Sequence, residues 1–221
     1  MLYYNDEAHS YWWEDENGKV PLTSVTQTIS KAKKPFDKYA VSANMKSVRS
    51  GERTAKDVLA EWKLKGDVAC DWGNAIHKAV ECWVRYKVEP KNHYLRTVIE
   101  AYKKLGYEND RAEMLVYDID LGIAGRMDLI DGYDVINIRD IKTSWEIEKP
   151  QKKFKGVLAD KILSKLDEYT LQLSIYAYIM ERKGRNVGEL TILEWNGLDG
   201  NFEPINVPYK PDWVEILLNQ Y

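Results

Sequence analysis

Val135-Ile136-Asn137-Ile138-Arg139-Asp140-Ile141-Lys142 is the stretch on which the reading of this chain turns. Strand side chains alternate with period two, so Ile136, Ile138, Asp140 and Lys142 share one face. Two apolar residues mark that face as inward, and two opposite charges then continue it. Burying a charge is costly unless it is paired or bound to a metal. A structural ion pair at a strand end meets that requirement as well as a catalytic site does.

The preceding run, Gly122-Ile123-Ala124-Gly125-Arg126-Met127-Asp128-Leu129-Ile130, places Asp128 near the end of an otherwise apolar segment. Gly125 has no side chain and so permits close approach of another backbone or a ligand. If the two strands are neighbours, Asp128 and Asp140 converge on one cation, and with Lys142 they make a metal site with a chemical task. Glu113 is a third acidic candidate, expected on a face with Leu115 and Tyr117; a carboxylate facing water at a strand start explains it equally. His77 falls in an expected helix where Gly73, His77 and Glu81 stack at i, i+4, i+8, away from an apolar stripe of Trp72, Ile76, Ala79 and Trp83. A solvent-facing row is the plainer account, although a mid-helix glycine costs up to ~1 kcal/mol against alanine and often marks a close approach. Gln172 and Tyr176 are i, i+4 neighbours on another expected helix, beside a core of Tyr169, Leu173 and Ala177.

Around these segments the pattern is mixed. Aromatic segments at Tyr3-Tyr4 and Tyr11-Trp12-Trp13, followed by Asn17-Gly18, predict a hairpin. From Ser24 to Leu105 the periodicity is helical, punctuated by Pro35, Gly51, Gly66 and Pro90. Alternating segments follow at 112–119, 122–130 and 135–143, the first two expected as an antiparallel hairpin. A lysine-rich stretch, a helix over 166–183, strands near 189–195 and 202–207 and a short terminal helix complete the chain. The expected fold class is α/β (α+β mixed), a central mixed sheet flanked by helices. A single domain over 1–221 is expected, with residues 1–66 as an N-terminal hairpin and helical part and 67–221 as the core.

Composition bounds the chemistry. The 32 basic and 35 acidic residues give a net charge of −3, which excludes a histone-like polycation but not local basic surfaces. A hydrophobic content of 44% fills a core, so wholesale disorder is excluded. No run reaches the ~18 apolar residues that span a membrane. The opening Met-Leu-Tyr-Tyr-Asn-Asp-Glu lacks the basic and apolar blocks of a secretory signal. Cys70 and Cys82 cannot by themselves supply a disulfide framework, a four-thiolate zinc site or an iron–sulfur cluster. A cytoplasmic location is therefore expected. Histidines stand only at 9, 77 and 93, so any metal chemistry rests on carboxylates and favours Mg²⁺ or Mn²⁺.

Gly73-x-x-x-His77, Ala112-Glu113, Gly125-Arg126-Met127-Asp128, Asp140-Ile141-Lys142-Thr143 and Gln172-x-x-x-Tyr176 occur in that order. In this the chain resembles the PD-(D/E)XK nuclease superfamily, specifically its RecB-like exonuclease branch, over residues 70–180. Leu22-Thr23-Ser24-Val25-Thr26 also looks like segments of viral and mitochondrial single-domain members. The resemblance implies a restriction-endonuclease-like core. It implies Asp128 and Asp140 as ligands of Mg²⁺ or Mn²⁺, completed by the Ile141 carbonyl and the His77 imidazole. Lys142 would position or help deprotonate the attacking water, Gln172 and Tyr176 would orient the lysine or the DNA backbone, and Glu113 would be a further acidic residue. Some relatives carry an iron–sulfur cluster, which two cysteines cannot supply, and others are fused to helicases, whereas no G-x-x-x-x-G-K-[ST] is present here.

Residues 149–165 hold six lysines and one acid, and residues 31–56 hold eight basic residues and two acids. With −3 for the whole chain and +11 in these two stretches, the remainder carries −14. Such runs are usually solvated surface. Lys149, Lys152, Lys153 and Lys155, with Trp145 beside them, instead suit phosphate gripping and base stacking. The expectation is a metal-dependent exonuclease acting on DNA with a free end, single- or double-stranded. A phage-like replication or recombination module, with a recombination or single-strand-binding protein as partner, follows from the resemblance alone. An endonuclease of the same fold and a catalytically silent DNA-binding scaffold are the alternatives.

Overall fold

Alternating apolar residues and turn-forming Asn17-Gly18 give an aromatic meander of β1 (Leu2–Asn5), β2 (Ser10–Asp15) and β3 (Gly18–Ser24). This is one strand more than the expected hairpin. Helices α1 (Val25–Lys31), α2 (Lys38–Ala43), α3 (Lys46–Arg49), α4 (Ala55–Tyr86) and α5 (His93–Lys104) follow. Next come β4 (Arg111–Asp118), β5 (Ile123–Asp131) and β6 (Val135–Lys142), a 3₁₀ turn at Gly156–Asp160 and α6 (Lys165–Arg182). The chain closes with β7 (Asn186–Asn196), β8 (Asn201–Val207) and α7 (Pro211–Gln220). This computed structural model describes every residue except 6, 7, 9, 145 and 221.

Capping boxes open the three helices nearest the candidate site. Ser24, Thr54 and Ser164 each accept from the third helical residue's N–H, while Gln27, Asp57 and Asp167 return a bond to the cap backbone. Each box satisfies two otherwise orphaned N–H groups. The expected break at Gly66 does not occur, for α4 runs through it unbroken. A single glycine costs about 1 kcal/mol, too little to interrupt a helix of 32 residues. The sequence-based division at 66/67 therefore falls inside one helix.

The strands form one mixed sheet in the order β1-β2-β3-β5-β6-β7-β8, with β4 on the far edge of β5. β4–β5 and β5–β6 are antiparallel, and β6–β7 is parallel. One edge of β5 is shared. β3 takes its start (Thr23↔Ile123, Ser24↔Ala124) and β6 takes its end (Leu129↔Arg139 to Asp131↔Asn137). Between them, Gly125–Asp128 has no ladder partner on that edge, and the two sequence-derived strands part there.

Helices cover both faces. Ile123, Met127, Ile136 and Ile138 pack with α1, α6 and α7, through residues such as Val25, Leu171, Leu173 and Val214. On the other face Leu129, Ile141, Leu193 and Trp195 pack with Ile76 and Val80 of α4 and Val98 and Ile99 of α5. β6 is thus buried on both sides, which is the habit of a strand with a parallel neighbour. Its second face carries Arg139, which pairs with Asp110 and Asp131; its guanidinium carbon is 3.9 Å from the Tyr107 ring centroid. Trp72, expected in the buried stripe of α4, is instead 40% exposed and leans on Tyr94 at 4.5 Å between ring centroids.

Candidate active site

Where β5 and β6 part, the two strand carboxylates meet. Asp128 reaches across and accepts the Ile141 N–H at 2.8 Å, replacing the missing ladder bond. Asp140 lies beside it, buried, with its Oδ2 2.5 Å from the Lys142 ammonium. The opposite charges at i and i+2 of one strand face are therefore an ion pair, as the alternation required. Gln172 of α6 ties the pair together. Its Nε2 donates to Asp140 Oδ1 at 3.3 Å, and its Oε1 accepts from Lys142 Nζ at 3.3 Å. One turn on, the Tyr176 hydroxyl accepts from Gln172 Nε2 at 3.3 Å and donates to the Arg126 carbonyl at 3.2 Å, on the unpaired stretch of β5.

Gly125 is what lets Tyr176 in. A Cβ at that position would sit 2.6 Å from the Tyr176 ring and 3.0 Å from Val25. Gly73 plays a similar part on α4, where a Cβ would lie 3.1 Å from Thr143 Oγ1. That close approach brings His77, one turn on, to 3.3 Å from Asp128 Oδ2 through its Nδ1.

Glu113 departs from the expected row. The β4–β5 ladder passes from Ala112↔Leu129 to Met114↔Met127 without pairing Glu113 and Asp128. Glu113 takes a left-handed φ of 57°, a conformation costly for a residue with a Cβ. Arg85 of α4 holds this segment, donating to the carbonyls of Ala112 at 3.0 Å and Glu113 at 3.4 Å. The Glu113 carboxylate pairs with Arg126, and Leu115, expected to continue an apolar row, is exposed beside it.

Burial and like charge set the electrostatics. Burial pushes Asp140 up to about 6; Asp128 adds to the rise, and Lys142 opposes it. Asp128 is held below the usual carboxylate range, because His77, Lys142 and the Ile141 N–H outweigh its burial. Burial would lower Lys142, but Asp140 and Asp128 raise it, so the lysine is an ammonium. His77 is likewise raised, the Asp128 charge and hydrogen bond exceeding the effect of burial. Burial and then Asp128 push Glu113 up to about 7, against the pull of Arg126.

Asp128, Lys142, His77 and Glu113 line a groove in two halves of about 800 and 640 Å³ that share Ala69, Cys70, His77 and Thr143. One half is walled by Tyr4, Lys78, Glu81, Arg85, Glu113 and Arg126. The other is walled by Trp72, Lys142, Ser144, Lys165 and Tyr169. Sequence reasoning did not single out Arg85, Arg126 as an ion-pair partner, Lys165 or Tyr4. Arg126 stood in a quoted motif, and Lys165 in a counted run.

Solved structures similar to this chain include a "Putative exonuclease" from Eubacterium rectale, at 12% identity and TM-score 0.45, covering 67% of this chain and 64% of that one. Another is the protein named SSO0001, at 15% identity and TM-score 0.36, covering 89% of this chain and 72% of that one. No family model and no curated protein matches the chain. The architecture is a mixed α/β fold with an eight-stranded sheet flanked by helices. Among the described residues, no helix is long and apolar enough to cross a membrane.

Asp128, Asp140, Lys142, His77, Gln172 and Tyr176 thus come together, and Glu113 borders the same groove. Lys149, Lys152, Lys153 and Lys155 are exposed outside it, and Lys149 pairs with Glu146 at 2.7 Å. Trp145 lies outside the described residues. Among the described residues, no three His, Cys, Asp or Glu side chains gather closely enough to hold an ion by themselves. The donor set for a hard cation must then include the Ile141 carbonyl or water. Among the described residues the buried Asp140 Oδ2 has the Lys142 ammonium as its one polar partner. An under-coordinated hard oxygen beside a second carboxylate fits Mg²⁺ or Mn²⁺.

Proposed function

We propose that this protein is a metal-dependent nuclease that hydrolyses phosphodiester bonds, with an exonuclease on DNA as the favoured form. The observation that carries the reading is the buried Asp128–Asp140–Lys142 cluster, joined by Gln172 and open to a groove. Asp128, Asp140 and the Ile141 carbonyl, with water, would hold Mg²⁺ or Mn²⁺, and His77 would steady Asp128. A divalent ion there supplies charge for the phosphate oxygens and lowers the pKa of water.

The chain's own groups do the rest. Lys142 would position the attacking water or help deprotonate it. Gln172 holds the Asp140–Lys142 pair in register, and Tyr176 anchors Gln172 to the β5 backbone. Burial of Asp140 spares its charge the screening of bulk water. Arg126, Lys78 and Lys165 on the groove walls offer cations to flanking phosphates.

Digestion of end-labelled linear DNA and covalently closed circular DNA, with Mg²⁺, Mn²⁺ or EDTA, tests this. Metal-dependent loss of the linear DNA alone is the expected result. Cutting of the circle makes the protein an endonuclease. Absence of cleavage with either ion overturns the reading and favours a silent DNA-binding scaffold.

A further inference from the structure

Two lysine runs far apart in the chain lie edge to edge. Lys34 N donates to the Lys153 carbonyl at 2.7 Å, and Lys155 N donates to the Ala32 carbonyl at 3.0 Å. An antiparallel bridge joins Lys33 to Phe154 between them. The seam is fastened to α6, where Lys33 pairs with Glu168 at 2.5 Å and Gln151 donates to the Ser164 carbonyl at 2.7 Å. Glu168 lies one turn before Gln172 and next to Tyr169, so the seam adjoins the Tyr169 half of the groove.

Part of the charge along it is unpaired among the described residues. Lys33 is neutralised by Glu168, but Lys31, Lys34, Lys152 and Lys153 are exposed and make no ion pair among the described residues. Like charges brought together at a surface repel one another, and a polyanion relieves that cost. Beside them stand Phe36 and Tyr39, 70% and 66% exposed. The Lys38 ammonium lies 5.3 Å from the Tyr39 ring centroid. Large aromatics left in water among cations offer π-faces to bases, and only unpaired bases have free faces to give. A duplex would meet the lysines alone.

We infer that Lys31, Lys34, Lys152 and Lys153, with Phe36 and Tyr39, form a platform for single-stranded nucleic acid leading to the Tyr169 end of the groove. That the strand is led toward cleavage rests on the nuclease reading; the binding itself does not. The lysines grip phosphates, and the exposed ring faces stack on bases.

Fluorescence anisotropy of a labelled oligothymidine and of a hairpin duplex of equal length, titrated with salt in EDTA, tests the platform on the full chain. All substituted side chains are exposed, and circular dichroism checks that each variant folds. The Lys34→Gln/Lys152→Gln/Lys153→Gln variant is expected to flatten the salt slope on the single strand by about 2, at ~0.7 per phosphate contact. Phe36→Ala/Tyr39→Ala is expected to weaken the single strand by about 5-fold or more per stacked base, with the slope kept and the duplex affected less. An unchanged slope in the lysine variant overturns the platform. So does an aromatic variant that binds as wild type, or that loses duplex and single strand equally. Binding without cleavage in Mg²⁺ or Mn²⁺ sinks the nuclease reading and leaves the platform standing. Cleavage by a wild type whose variants bind identically does the reverse.

Discussion

Replacing Gly125 by alanine probes the joint between β5 and α6. The added Cβ would stand 2.6 Å from Tyr176 Cε1 and 3.0 Å from Val25 Cγ2. Carbon atoms settle at about 3.5–4.0 Å, so the ring must withdraw by about 1 Å. Tyr176 is buried and hydrogen-bonded on both sides, to Arg126 and Gln172, so withdrawal breaks at least one bond. Overpacking of this kind costs about 1–3 kcal/mol. At ~2–4 °C per kcal/mol for a chain of this size, Tm should fall by about 2–12 °C. Urea unfolding should give a lower midpoint at unchanged m. In a Tyr176→Leu background, which removes the ring edge, Gly125→Ala should cost at least ~1 kcal/mol less. If the alanine costs under ~0.5 kcal/mol, or costs the same in both backgrounds, then the ring does not require the glycine.

Addition of Mn²⁺ should raise Tm progressively, by the equivalent of about 2.7 kcal/mol at a hundred times Kd. Asp128→Asn and Asp140→Asn should each abolish the rise, and a shift that survives both would remove them from the ligand set. Arg139→Leu leaves Asp110 buried without its counter-charge and should cost about 3–5 kcal/mol, read by urea unfolding; a loss under ~1 kcal/mol would show that network to be dispensable. Asp118 gives a pH test: burial pushes its carboxyl up, but the Arg182 guanidinium at 2.6 Å and the Leu121 N–H prevail and hold it below 3.8. A depressed carboxyl stabilises the fold above its unfolded pKa and ceases to do so as pH falls through the folded value. The stability gap between wild type and Asp118→Asn should therefore be full at neutral pH and close below pH 3.8; a gap independent of pH would refute the assignment.

The β5 and β6 boundaries were legible in the sequence to within about a residue or two, because one apolar face imposes a period of two. The same alternation located Asp140 and Lys142 on one face. It was silent on Arg139, because its partner Asp110 sits in the α5–β4 connection and no periodicity reports such a pairing. Glu113 misled for a related reason. Its left-handed backbone interrupts the alternation, and that depends on Arg85 reaching in from α4. The seam between the two lysine runs was equally invisible, since charge counts describe stretches and not their contacts. Trp72 was placed in the core by helical spacing, yet it leans on Tyr94 and lines the groove.

The shared edge of β5 also bears on how the protein is made. β6 is held by β7, its parallel neighbour, which the chain reaches only after passing through α6. A growing chain that has reached Lys142 already contains His77, Asp128 and Asp140. It lacks the helix that carries Gln172 and Tyr176 and the strand that seats β6. Long-range parallel pairing forms slowly relative to local hairpins and helices. A nascent chain that has reached only Lys142 therefore holds the acidic residues without Gln172 and the parallel strand that join them in the folded protein.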